Sequence, residues 1–127
     1  MKKQLIFTLF LFMFLLSILS CKKEKEITCN LSTTINQPLA GMSIKYEATQ
    51  TGDGVIASLS YVSESGTVTV PNPGLPWTIT VYVASGTNVS ISANGTVTNG
   101  SLNIAYEGIS GGSSIKSSDF CEQQTSK

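Results

Sequence analysis

The chain has 127 residues, with eight basic and eight acidic side chains and no histidine. That length holds one domain at most, and without histidine there is neither an imidazole base nor an imidazole metal ligand. Lys2 and Lys3 fall in an N-terminal segment expected to be removed. The six lysines left against eight acids give a net charge of −2, which excludes the clustered basic footprint of a nucleic-acid binder.

Met1-Lys2-Lys3 is a basic start, and residues 5–19 are apolar except for Thr8 and Ser17. The run is shorter than the ~20 residues that cross a bilayer as a helix, and it follows a charged start, so it reads as a secretory signal. Its end, Ile18-Leu19-Ser20-Cys21, resembles a bacterial lipobox. The resemblance implies cleavage just before Cys21 and acylation of that cysteine, so that residues 1–20 are a lipoprotein signal peptide. Several acyl chains at ~0.8 kcal/mol per buried CH₂ hold a protein durably at a membrane. An ordinary signal with an incidental cysteine and an uncleaved anchor are the alternatives.

Cys21 is followed by Lys22-Lys23-Glu24-Lys25-Glu26. Residues 21–26 read as an acylated cysteine and a solvated, charged tether. The same stretch resembles the export signal that sends Bacteroidota lipoproteins to the outer face of the outer membrane, with Lys25 interrupting the acids. The expected location is the bacterial cell envelope, as an outer-membrane lipoprotein that faces the periplasm or is surface-exposed.

Residues 27–121 change character. Met42, Ile44, Tyr46 and Ala48 alternate with polar neighbours, and so do Ala57, Leu59 and Tyr61. Val68 and Val70 follow the pattern, then Trp77, Ile79, Val81 and Val83, then Val89, Ile91 and Ala93, then Leu102, Ile104 and Tyr106. Period two marks strands with one buried face. Gly, Asn and Pro clusters at residues 51–54, 64–66, 71–74, 85–88 and 99–100 supply the turns, and Asn99-Gly100 suits a type I′ hairpin. Weaker strands flank these around residues 27–31 and 115–120. The pattern predicts an all-β fold, a small immunoglobulin-like β-sandwich of about seven antiparallel strands, with a β-barrel as the alternative. Residues 122–127 are expected to form a disordered tail. The outward faces are rich in Ser, Thr and Asn, which suits a solvated sheet or a sugar-binding face. Tyr82 is the one obvious aromatic on an outward parity.

Cys29 and Cys121 remain after Cys21, and export would place them where disulfides form. They are a disulfide candidate that would close nearly the whole domain; two separate thiols are the alternative. Two thiols without histidine or CxxC spacing make a poor metal site, and no cofactor is implied. Serine chemistry lacks a histidine base and a G-x-S-x-G turn. Ser113-Ser114-Ile115-Lys116 has the letters of a serine–lysine motif but enters a strand. Glu47, Asp53, Glu64, Glu107, Asp119 and Glu122 read as solubilising rather than as an opposed catalytic pair. Asp53, between two glycines, is a lone carboxylate for any Ca²⁺ site. The expectation is a non-enzymatic protein.

Tyr46-Glu47, Ala57 to Tyr61, Leu75-Pro76-Trp77-Thr78 and Val89 to Ala93 come in an order that resembles the mycobacterial MmpS family. Those are small membrane-anchored β-sandwich proteins that accompany RND-type lipid and siderophore exporters. The likeness covers about residues 42–107. It implies a β-sandwich and a partnership with an envelope transporter. Members of that family carry a transmembrane helix where this chain has a lipobox, and their cysteines lie in the C-terminal half. Leu75, Pro76 and Trp77 have two readings: a core tryptophan aimed by its Pro/Gly connection, or an exposed lip that docks a partner. Together these features predict a lipid-anchored envelope module that binds or assists a partner, with a transporter accessory subunit or a surface binder of glycans or host molecules as alternatives.

Overall fold

A computed structural model describes residues 25–35, 40–110 and 113–124. Eight strands make up the fold: β1 (Ile27–Ile35), β2 (Met42–Gly52), β3 (Val55–Ser63), β4 (Gly66–Pro71), β5 (Trp77–Val83), β6 (Val89–Val97), β7 (Gly100–Ser110) and β8 (Ser113–Gln123). They form two antiparallel four-stranded sheets, β1-β6-β3-β4 and β5-β2-β7-β8, packed face to face as a small β-sandwich in which the first strand lies beside the sixth.

Alternation explains why the two sheets adhere. Ile44, Tyr46, Leu59, Ile91, Leu102 and Ile104 are fully buried between them, while their sequence neighbours face outward. Each such aliphatic side chain contributes ~1.5–3 kcal/mol relative to remaining exposed. Tyr46 is the largest of them, and its hydroxyl donates to the Val62 carbonyl at 2.7 Å, so its polar end is satisfied. Burial pushes its phenol up to about 12.

Several details go beyond or differ from the sequence reading. Both weak flanking segments are full strands, so the strands number eight, and β8 runs through Gln123 rather than ending in a tail at residue 122. Ala57 is exposed, because a bulge between Ile56 and Ser58 shifts the register and buries Ile56 instead. Asn99-Gly100 does not close a hairpin. β6 and β7 belong to different sheets, so Thr98 and Asn99 carry the chain across the sandwich, and Asn99 does not have the positive φ a type I′ turn requires. Phe120 joins Tyr82 as an outward aromatic, being 68% exposed on β8.

The crossing at residues 98–99 is locked to the β2–β3 crossing. Gly52 has φ +62°, and a Cβ there would run into the Asn99 carbonyl. Asp53 holds the two together: its Oδ1 accepts the amides of Thr98 at 3.0 Å and Asn99 at 2.9 Å, and its own amide donates to the Asn99 carbonyl at 3.2 Å. Those donors at Asn99, then Thr98, hold the Asp53 carboxyl below the usual carboxylate range. Its role is structural rather than merely solubilising.

Candidate functional site

The strands align so that one end of the sandwich gathers the start of β1, the crossings at 52–54 and 98–99, the connection at 72–76 and the end of β8. This is the end from which a tether would emerge. Cys21 lies outside the described residues; Lys25 and Glu26 are exposed just before β1.

The docking candidate is split by the structure. The Leu75–Pro76 peptide is cis, Pro76 is exposed and Leu75 is half-buried. Trp77 is also half-buried. Its ring stands 5.5 Å from that of Tyr61, which in turn stands 5.3 Å from Tyr46. These three aromatics step from β5 to β3 to β2, so they bridge the sheets. Their contacts here are packing contacts. Leu75 instead lines a surface hollow of about 310 Å³ with Gln50, Val55, Ile56 and residues 72–74. A second hollow, of about 450 Å³, lies toward the other end, between Ser63, Glu64 and Ser65 of the β3–β4 turn and Val81 and Tyr82 of β5.

The two long sides of the sandwich differ. On one, Cys29 of β1 and Cys121 of β8 are joined, with Cα atoms 5.9 Å apart. The Ser32 amide donates to Asp119 Oδ2 at 3.0 Å, and the hydroxyls of Thr33 and Ser117 meet at 2.6 Å. Strands of opposite sheets are thus cross-linked. On the other side β4 pairs only with β3 and β5 only with β2, and β4 and β5 scarcely touch. Val68 and Val70 of β4 and Ile79 and Val81 of β5 pack against the core but remain partly exposed.

Charge is divided as well. None of the four strands of the β1-β6-β3-β4 sheet carries a charged residue; its outer face is mostly hydroxyl and amide, with Val55 and Ala57 exposed at the start of β3 and contacts such as Thr34 to Ser90 at 2.9 Å and Ser60 to Thr69 at 3.0 Å. The other sheet carries Lys45, Glu47, Glu107, Lys116, Asp119 and Glu122, with Lys45 and Glu47 paired at 3.2 Å near the surface. Tyr82 and Phe120 lie on opposite edge strands of that sheet and make no aromatic platform. Among the described residues, no three of Cys, Asp or Glu come together as a metal-binding group.

Compared with protein families, curated proteins and solved structures, the chain matches none.

Proposed function

We propose that this protein is a lipid-anchored, non-enzymatic module of the bacterial cell envelope that binds or assists a partner through the surface of its β-sandwich. The observation that carries the reading is the Ile18-Leu19-Ser20-Cys21 lipobox, set five residues ahead of the first strand. A tether of that length spans about 20 Å at most. It keeps the start of β1, the 72–76 connection and the Asp53 crossing near the bilayer and presents the opposite end outward.

The distribution of polar groups supports binding over catalysis. Asp53 and Asp119, the two carboxylates with backbone partners, are occupied in holding strands and crossings together. A partnership with an RND-type transporter is the second reading. It is favoured by the exposed Pro76 beside half-buried Leu75, placed at the tethered end where a membrane-embedded partner would be met.

The test is the mass of the mature chain purified from membranes, together with fractionation of a Cys21→Ala form. Acyl chains on a chain that begins at residue 21, and release of the variant from the membrane, are expected. A soluble, unacylated wild-type chain would sink the reading.

A further inference from the structure

The side of the sandwich formed by β4 and β5 is built like a sheet that lacks its next strand. Among the described residues, the outer backbone edges of both strands have no backbone partner. Natural edges of this kind are usually blocked by charges, proline or a covering element. β5 reads Trp-Thr-Ile-Thr-Val-Tyr-Val, seven residues without charge or proline. The inward side chains beside the gap, Val68, Val70, Ile79 and Val81, are apolar and only partly buried. Both surface hollows flank this gap, one at each end.

We infer that β5 takes an added strand from another protein: an extended, uncharged segment of about seven residues, antiparallel to β5, with alternate apolar side chains turned into the gap and a Lys or Arg just before its N-terminal end. Unpaired amides and carbonyls at strand spacing call for a strand rather than a helix or a lipid chain. The antiparallel sense matches every other pairing in the fold and places the segment's start beside the C-terminal half of β5. There the hollow holds Glu64, the acid on the β3–β4 turn, which gives the basic residue its place.

A second copy of this chain fits less well on two counts. Pairing β5 with its own copy would bring residues 75–77 toward Glu64, and Leu-Pro-Trp offers no cation. It would also invert the neighbour. β2 and β7 are 11 residues long, so the inverted copy would begin about 35 Å farther from the bilayer. A tether of about 20 Å cannot bridge that while both copies stand on one membrane. This second count rests on the anchor reading given above.

The test uses the full acylated chain in detergent and an octapeptide of one lysine followed by alternating threonine and valine. Trp77, the single tryptophan, opens β5 and reports binding by its emission, while amide exchange locates it. Expected are an emission shift and at least about tenfold slower exchange along β5 with β1 unchanged. A peptide with glutamate for lysine should bind up to about fivefold more weakly, the scale of one exposed ion pair, and Glu64→Gln should remove that difference. Ile79→Lys should abolish binding. A peptide N-methylated along one edge should fail on the wild-type chain, which covers the case in which the lysine variant does not fold. No protection of β5 at millimolar peptide overturns the proposal. So does β5 protection without peptide that rises with protein concentration as the particle mass doubles, since that makes the occupant a second copy. The mass of the same preparation reports acylation separately. An unacylated chain removes the anchor reading and the tether argument with it, whereas an acylated chain that ignores the peptide removes only the strand-addition proposal.

Discussion

The β1/β8 side and the β4/β5 side solve the same problem, closing a sandwich at its rim, by opposite means. At the first, opposite sheets are joined by a covalent bond, a carboxylate bridge and a hydroxyl pair. At the second they are joined by tilted aromatic rings packed inside the rim, and the rim itself stays open. The polar links and the disulfide occupy the Ser32 amide, Asp119, two hydroxyls and two thiols, and they hold β1 against β8. Aromatic packing satisfies no backbone edge, so the open side keeps its hydrogen-bonding capacity. Covalent closure and the open gap thus fall on different rims of one small domain.

The comparison breaks most readily at the disulfide. Cys29 and Cys121 are 92 residues apart, and opening a loop of that size is expected to cost about 4–5 kcal/mol in the chain-entropy model. The check is the denaturant midpoint of Cys121→Ser, or of the wild type with and without reductant. On the open side Trp77→Ala should cost about 3 kcal/mol, the low end for a large aromatic, because the ring is only half-buried. If that variant costs as much as losing the disulfide, the two rims are equally held and the contrast fails. Asp119→Ala removes the acceptor of the Ser32 amide at a site water can reach, so about 1 kcal/mol is expected by the same measurement.

Two pH effects sharpen the picture without touching either rim. Tyr46 is buried with its phenol raised to about 12, so the neutral form is favoured in the fold. Its contribution is complete below the ordinary tyrosine range near pH 10 and is lost as pH rises toward about 12. Thermal melts of wild type and Tyr46→Phe across that window should diverge, with the wild type losing more. Asp53 runs the other way. Its lowered carboxyl contributes above the ordinary carboxylate range and loses that contribution as pH falls through its folded value. Asp53→Asn should therefore flatten the acid limb of the melting profile slightly, the smallest effect of the set.

β2 and β5–β7 were legible because their inward residues are apolar without interruption. β8 was only faintly legible for a physical reason. Its inward positions include Ser117 and Asp119, which serve β1 instead of the core, so period-two hydrophobicity fades where the strand is still regular. Ala57 misled because a bulge adds a residue without leaving a mark in composition. Asn99-Gly100 signalled a turn correctly, but a turn does not say which sheet the next strand will join. For the same reason the open rim was invisible: the neutrality of β4 and β5 can be read from their letters, whereas their place at adjacent sheet edges is a property of pairing. Trp77 shows a further limit, since parity places it inward and only the fold reveals that inward at a rim means half-buried.

The position of Cys29 also decides how the domain bears load. Tension applied at its N-terminus enters through β1, an edge strand that would otherwise peel away from β6 one residue at a time. Only Ile27 and Thr28 precede the bond to Cys121. Once those two have detached, the pull passes through sulfur into β8 and shears two strands of different sheets together instead of unzipping one. The domain is therefore expected to resist a pull applied ahead of β1 more strongly with the disulfide intact than after its reduction.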